Sequence, residues 1–397
     1  MSSYKDKGIK YLMNTYTRQP LMPFRGKGVW VWDKEGKRYL DLVAGIAAVN
    51  LGHCHPNVTQ AIRQQAGHLV HVSNLYHIEP QIELAELLVE NSFADKVFFC
   101  NSGGEANEAA FKLARKYSRE RGRGGHEVVS MKNSFHGRTL ATLSATGQER
   151  FHKGFEPLVP GFRHDVPYSD LDAAKKAITE STCAVIVEPV QGEGGIRVPD
   201  EDYLAGLRRV CDERDVLLIF DEIQTGMGRT GTLFAYQGFG VEPDIMTLAK
   251  SLANGVPIGA CLARADVAKV FTPGSHASTF GGNPLSARAG VATLRTLLEG
   301  KIMDSSRNVG KYFLDQLIQM KEKRPVIRDV RGRGLMLAVE LEKNGASVVD
   351  KCRERGFLIN CTAGNVLRFV PPLILRKREV DLFMPVLDKA LAEFEKN

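Results

Sequence analysis

Between residues 55 and 290, short apolar runs of strand length alternate with segments of helical periodicity, and this alternation constrains the fold more than any other feature. Continuous apolar runs are typical of strands buried on both faces, and strands separated by helices usually pair in parallel. The pattern therefore predicts an α/β fold in which the large domain contains a mostly parallel, doubly wound sheet. The clearest runs are KVFFC (96–100), CAVIVEPV (183–190), DVLLIF (215–220) and DIMTLA (244–249).

The chain on either side of this region has a different pattern. Residues 24–49 predict a hairpin, because an alternating segment is followed by the turn KEGK and a second apolar segment. After residue 290 the pattern predicts a helix at about 306–322, a strand pair around GRGLMLAVEL and a closing helix after Pro372. We predict a large domain at 55–290 and a smaller α+β domain at 291–397, which the segment 1–54 joins.

Composition restricts the classes of function. The formal net charge of +7 suits anionic ligands, and no nucleic-acid recognition motif accompanies the basic segment 115–125. The seven cysteines are scattered, the first twenty residues contain no apolar signal segment, and no run approaches membrane-spanning length. The turn GHCHP (52–56) lacks the further ligands that zinc requires. We therefore expect a cytoplasmic protein that does not bind metal, membrane or nucleic acid.

Unusual polar residues follow the predicted strands. In an open α/β sheet, ligands bind beyond the carboxyl ends of the strands, so these residues would face one crevice. They are Asn101-Ser102-Gly103-Gly104, Phe135-His136-Gly137-Arg138, Glu188, Asp221 and Lys250.

Three of these positions suggest a particular chemistry. The segment CNSGGEANEAAFKLAR can bind an anion at a helix N-terminus, although Ser102 alone is better explained as a helix cap. Lys250 could simply extend towards water, but a desolvated lysine has a lowered pKa and becomes a nucleophile for Schiff-base formation. Asp221 could hold a proton on a pyridinium nitrogen. With Phe135 able to stack on a flat ring, this combination indicates pyridoxal phosphate.

Seven longer motifs carry a family resemblance. The chain resembles the class III pyridoxal-phosphate aminotransferases from about residue 20 to 390, which implies fold type I and a homodimer with composite active sites. The motifs are NSGGEANEAAFKLAR, FHGRT, EPVQGEGG, DEIQTGMGRTG, AKSLANGVPIGA, STFGGNPLS and LRFVPPL.

The resemblance implies a role for each site residue. Lys250 would bind the cofactor covalently and act in catalysis with Asp221, which would pair with the ring nitrogen. Thr279 would reach the phosphate of the neighbouring subunit, and Gly104 departs from the Thr or Ala that is more usual in the family. The other implied cofactor-binding residues are Ser102, Gly103, Gly104, Phe135, Glu188, Glu222, Ile223 and Gln224.

The resemblance also implies a set of substrate-binding residues: Arg138, Glu193, Ser278 and Arg368. Arg138 would bind the distal carboxylate of both substrates, whereas Arg368 would pair with Glu193 until 2-oxoglutarate binds. The implied reaction moves the ω-amino group of N2-acetylornithine to 2-oxoglutarate, giving N-acetylglutamate 5-semialdehyde and glutamate, in arginine biosynthesis. Succinylornithine, ornithine, 4-aminobutyrate and acyl-diaminopimelate remain alternative donors, and an aminomutase or a catalytically silent binding protein remain alternative functions.

Overall fold

The computed structural model describes residues 4–396. The strands are β1 (Pro23–Lys27), β2 (Trp30–Asp33), β3 (Arg38–Asp41), β4 (Lys96–Cys100), β5 (Glu127–Met131), β6 (Phe162–Val166), β7 (Thr182–Val187), β8 (Leu217–Asp221), β9 (Ile245–Leu248), β10 (Gly259–Ala263), β11 (Ile327–Arg333), β12 (Met336–Leu341), β13 (Phe357–Leu358), β14 (Asn360–Thr362) and β15 (Val366–Phe369). The helices are α1 (Tyr4–Tyr11), α2 (Ala44–Ala47), α3 (Pro56–His68), α4 (Glu79–Glu90), α5 (Gly103–Glu120), α6 (Leu140–Ala145), α7 (Leu171–Ala177), α8 (Tyr203–Glu213), α9 (Ala235–Phe239), α10 (Ala265–Ala268), α11 (Pro284–Glu299), α12 (Ile302–Lys323), α13 (Ala346–Glu354) and α14 (Lys377–Glu395). Across the described chain, none of these helices has both the length and the apolar character needed to cross a membrane.

The central sheet has seven strands in the order β4-β10-β9-β8-β7-β5-β6. The pairs from β9 through β8, β7 and β5 to β6 are all parallel. Only β10 runs the other way, because it pairs antiparallel with both β4 and β9. The mostly parallel sheet predicted from the apolar runs is therefore confirmed.

Alternate side chains of the central strands enter two separate cores. In β7, Val185 and Val187 belong to one buried cluster, whereas Ala184 and Ile186 belong to another that includes the apolar face of α5. Every residue of β7 and β8 is buried. Because successive strand residues point to opposite faces, helices must cover both faces of the sheet, and the doubly wound architecture is confirmed.

Two smaller sheets contain the remaining strands. One has the order β1-β2-β3-β13 and contains the predicted hairpin, and the other has the order β11-β12-β15-β14. The chain's first and last parts meet in the former, where β13 pairs in parallel with β3 and Phe357 lies opposite Leu40. The predicted strand pair near residue 335 is β11 with β12, and the two C-terminal helices are α12 and α14. The domain boundaries at 54 and 290 remain a prediction.

A buried arginine joins three distant parts of the chain. Arg229 is fully buried, and its guanidinium donates to the carbonyl oxygens of Leu335 and Pro371 and to Asn50 Oδ1, at 2.7, 2.6 and 2.5 Å. Burial lowers its pKa to about 9. These bonds tie the loop that follows β8 to the N-terminal segment and to the strand region that carries Arg368.

Candidate active site

A cavity of about 310 Å³ lies beyond the carboxyl ends of β4, β8 and β9. Its lining combines segments that are far apart in sequence, as expected where parallel strands end at one edge of a sheet. Ten of the residues predicted from the sequence line it: Ser102, Gly103, Gly104, Phe135, Glu188, Glu193, Asp221, Ile223, Gln224 and Lys250.

Asp221 is held at the end of β8 by a buried hydrogen-bond network. Its Oδ2 accepts a hydrogen bond from Asn107 Nδ2 at 2.9 Å and lies 2.8 Å from His136 Nδ1, and its Oδ1 accepts from the backbone N–H of Ile223 at 3.1 Å. Asn107 is fixed in turn by the hydroxyl of Thr247, which donates to its Oδ1 at 2.8 Å. The carboxylate is thus oriented from three sides while it faces the cavity.

The N-terminus of α5 opens into the same cavity. Ser102 caps this eighteen-residue helix, and its hydroxyl accepts from the backbone N–H of Glu105 at 3.2 Å. The N–H groups of Gly103 and Gly104 belong to the first helical turn and have no acceptor within the helix, so they can bind an anion. A Cβ at Gly104 would lie 3.7 Å from Thr139, an ordinary contact, so nothing in the backbone requires glycine there.

Lys250 lies two positions after the end of β9, where it begins a short 3-10 turn with a left-handed φ of 45°. A left-handed conformation is uncommon for a residue with a side chain, and it marks a position that the surrounding structure constrains. Burial lowers the pKa of the Lys250 ammonium, while the carboxylates of Glu193, Asp221 and Glu188 act in the opposite direction. A lysine with a lowered pKa in a cavity is suited to nucleophilic chemistry.

Glu188 connects two parts of the cavity wall. One carboxylate oxygen accepts from the backbone N–H of Phe135 at 3.0 Å, and the other accepts from that of Gly192 at 2.9 Å. Burial raises its pKa to about 7, an effect that His136 opposes. Glu188 therefore fixes the backbone of Phe135, which lines the cavity, and the start of the QGEGG loop (191–195).

The QGEGG loop brings Glu193 to Arg368, which lies on β15. Arg368 Nη1 donates to Glu193 Oε1 at 2.6 Å, and the Arg368 side chain is 1% exposed. Burial disfavours the ionised Glu193, but Arg368 and Lys250 outweigh it, so the pKa of this carboxyl is lowered. A Cβ at Gly192 would lie 2.3 Å from Gln224 Oε1, so a larger residue there would require the Gln224 side chain to move.

Three predicted site residues point elsewhere in this chain. The Glu222 carboxylate accepts from the backbone N–H groups of Ala235 and Tyr236, at 2.6 and 2.8 Å, and so caps α9. Ser278 and Thr279 line an adjacent cavity of about 320 Å³, and Asn101 borders both cavities. Their predicted roles in cofactor and substrate binding stay predictions.

Arg138 lies on the surface beside the main cavity, immediately after the lining residue Gly137. Its guanidinium carbon is 3.8 Å from the ring centroid of Phe151 and 5.4 Å from that of Phe135. Arg138 does not line the cavity of this single chain, so its predicted carboxylate-binding role also stays a prediction.

The sequence did not identify the residues that orient Asp221. Asn107 and His136 lie within the quoted motifs, but residue type and spacing alone give no reason to pair them with an acid more than eighty positions away. The turn at 44–47 was also unforeseen: Ala44, Ile46 and Ala47 have φ values of 50°, 63° and 60°, next to the cavity-lining Ala48.

Known proteins of the same kind cover nearly the whole chain. The sequence profile of the class-III aminotransferases matches residues 11–391. An acetylornithine aminotransferase from Methanocaldococcus jannaschii is 52% identical over 98% of this chain and 97% of its own length. One from Aquifex aeolicus is 52% identical over 96% of this chain and 100% of its own length. Among solved structures, the ornithine aminotransferase from Toxoplasma gondii superposes with a TM-score of 0.96 and 36% identity, covering 100% of this chain and 96% of that one. The chain therefore belongs to the class-III aminotransferases, a family of pyridoxal phosphate-dependent enzymes.

Proposed function

We propose that this enzyme moves the ω-amino group of N2-acetylornithine to 2-oxoglutarate, giving N-acetylglutamate 5-semialdehyde and glutamate, in arginine biosynthesis. The observation that carries the proposal is the pair between Arg368 and Glu193 in the cavity wall near Lys250. While Arg368 is paired with Glu193, it places no free cation beside the reacting ω-carbon of the donor. This suits an ω-amino donor, because its reacting carbon bears no carboxylate. The relatives at 52% identity carry the acetylornithine aminotransferase name, which favours this donor.

The residues of the cavity fit pyridoxal phosphate. The first-turn N–H groups of α5 suit the phosphate, and the oriented carboxylate of Asp221 suits a protonated ring nitrogen. Phe135 and Lys250 line the same cavity, where they suit the ring face and the covalent link. When bound, the cofactor supplies an electron-accepting ring and a carbonyl group that carries the amino group between the two substrates.

The chemistry of this chain then centres on Lys250. When it is not bound to the cofactor, its Nζ would act as a base beside the reacting carbon, because the lowered pKa favours the neutral amine that can accept a proton. Nζ can return the proton at the neighbouring position to complete the transfer. Asp221, held by Asn107 and His136, would hold a proton on the ring nitrogen of the bound cofactor.

Arg138 would serve both half-reactions, and Arg368 would distinguish them. Arg138 would bind the distal carboxylate, which both N2-acetylornithine and 2-oxoglutarate carry. In the second half-reaction the reacting carbon bears a carboxylate, so Arg368 would leave Glu193 and bind it through its planar fork. Because the two substrates bind in turn, the kinetics would be ping-pong.

We also propose a homodimer with composite sites. Ser278 and Thr279 lie on a loop whose neighbour Phe280 is 57% exposed, close to the exposed Leu75 and Tyr76. Asn74 joins these two segments, since its Nδ2 donates to the carbonyl oxygen of Ser278 at 3.1 Å. Exposed apolar side chains grouped on one surface are typical of a subunit interface. We infer a cytoplasmic location, because all seven cysteines are free and five are buried.

A donor panel tests the proposed substrate. We expect N2-acetylornithine to give the highest kcat/KM with 2-oxoglutarate, above N2-succinylornithine, ornithine, 4-aminobutyrate and an acyl-diaminopimelate. The ornithine aminotransferase fold of the structural neighbours makes ornithine the second candidate. A higher kcat/KM for ornithine would replace the proposed donor but leave the aminotransferase chemistry intact.

A further inference from the structure

The guanidinium of Arg138 stacks on the ring of Phe151. The Arg138 guanidinium carbon lies 3.8 Å from the Phe151 ring centroid, a separation that places the cation over the face of the ring. Arg138 is exposed, and the chain described from 4 to 396 offers its guanidinium neither a hydrogen bond nor an ion pair within 4 Å. An exposed arginine without such a contact samples many rotamers. The ring of Phe151 is the nearer of the two rings that restrain this side chain.

Stacking restrains Arg138 without using its hydrogen-bond donors. The N–H groups of a guanidinium lie in its plane, whereas the ring contact uses its face. Had a carboxylate of the protein held Arg138, as Glu193 holds Arg368, the fork would already be occupied. Over Phe151, the donors stay free for the carboxylate of a substrate.

Phe151 is in turn located by a residue of the cavity wall. The rings of Phe135 and Phe151 pack edge to face, with centroids 5.9 Å apart and an interplanar angle of 77°. Phe135 lines the cavity and is fixed through its backbone N–H by Glu188. Contacts therefore run without a break from the cavity through Phe135 and Phe151 to the guanidinium of Arg138.

A second arginine on the same ring does not compete for this role. The guanidinium carbon of Arg150 lies 4.6 Å from the Phe151 centroid, farther than that of Arg138. Its Nη2 donates to Gln148 Oε1 at 2.8 Å, so one side of its fork is engaged. Arg138 is the cation on this ring whose whole fork is available.

We propose that Phe151 is a positioning residue for substrate specificity: it holds Arg138 at a fixed distance from the cavity, so that the enzyme selects substrates by a distal carboxylate. This rests on the proposed function, because both of its substrates carry such a carboxylate. Phe151 need not touch the substrate.

The test replaces the aromatic ring with an aliphatic side chain. In Phe151→Leu we expect KM to rise about 3- to 20-fold for both N2-acetylornithine and 2-oxoglutarate, with kcat within about twofold of the wild type. Phe151→Tyr, which retains the ring face, should restore both KM values. Phe155→Leu is the matched control, since Phe155 lies on the same segment, is 58% exposed and has no described arginine over its ring.

The variant Arg138→Ala distinguishes a failure of the positioning role of Phe151 from a failure of the proposed function. If it raises both KM values while Phe151→Leu leaves them unchanged, the positioning role is wrong and the proposed function stands. A Phe151→Leu variant that loses kcat and thermal stability together, without a KM change, would also overturn the proposal, because it would show a purely structural role. If the wild type does not use N2-acetylornithine, the proposed function fails, and the KM for 2-oxoglutarate alone still tests Phe151.

Discussion

Removing the carboxylate of Glu193 should reverse the preference of the enzyme between its two half-reactions. Glu193→Ala leaves Arg368, which is 1% exposed, as a cation without its partner. With an Nη1–Oε1 distance of 2.6 Å, the two charge centres lie about 4 Å apart, and their attraction is about 4 kcal/mol at an effective dielectric constant of about 20. The Glu193 side chain is 23% exposed, so we reduce this to about 2–4 kcal/mol, or roughly 30- to 1,000-fold.

That difference should appear as a change in the ratio of two rates. An ω-amino donor brings no carboxylate to Arg368, so its reaction should slow in Glu193→Ala. Glutamate does bring one and no longer has to displace Glu193, so its reaction should be maintained or accelerated. Arg368→Ala should do the reverse, because it removes the cation that we propose binds glutamate and 2-oxoglutarate, at a cost of about 2–5 kcal/mol.

Single-turnover rates measured separately with N2-acetylornithine and with glutamate provide the assay. Glu193→Gln should give an intermediate ratio, because the amide oxygen still accepts a hydrogen bond but carries no charge. Glu242→Ala is the matched control, since Glu242 forms an exposed pair with Arg264 at 2.9 Å and should leave both rates unchanged. Equal losses for both donors in Glu193→Ala and in Arg368→Ala would refute the switch.

Three further predictions concern stability and assembly. Burial raises the pKa of Glu222 in the folded protein from 4.5 to about 7. The protonated carboxyl therefore adds about 2–3 kcal/mol to the free energy of unfolding near pH 5, and this is lost as pH rises through 7. Urea unfolding at pH 5 and pH 8 should show a smaller difference in the free energy of unfolding for Glu222→Gln than for the wild type. Arg229→Ala leaves three buried acceptors without a donor and should lower the free energy of unfolding by about 3–5 kcal/mol, and an unchanged urea midpoint would contradict this. Mixing inactive Lys250→Ala subunits with inactive Ser278→Ala/Thr279→Ala subunits should restore some activity in hybrid dimers, and no recovery after proven subunit exchange would mean that each site is built from one chain.

The architecture could be predicted because the sheet imposes its pattern on the sequence. Residues 184–187 and 217–220 are apolar without interruption because both faces of each strand are buried, and this gave the strand positions correctly. The strand β6 was not predicted, because the segment FRHDV lies at the edge of the sheet, where only some side chains are buried and the apolar signal is weak.

The sequence predicted which residues meet at the cavity, because they follow strands of one sheet. It did not predict the hydrogen bonds among them. Asp221, Glu188 and Lys250 follow strands of one sheet, so their meeting at one edge could be expected. The contact of His136 with Asp221 depends on where the loop after β5 folds back, which residue types do not specify. The direction of the Glu222 carboxylate, towards α9 instead of the cavity, depends equally on tertiary packing.

Transfer of the ω-nitrogen between two molecules is the central claim, and isotope labelling tests it most directly. When the pyridoxal phosphate-loaded enzyme is given N2-acetylornithine labelled with nitrogen-15 at the ω-amino group and unlabelled 2-oxoglutarate, the label should appear in glutamate, with one labelled glutamate for each semialdehyde formed. Lys250→Ala should form no labelled glutamate under multiple turnover. Label that stays in a rearranged donor, or turnover without 2-oxoglutarate, would contradict the account, as would near-wild-type transfer by Lys250→Ala.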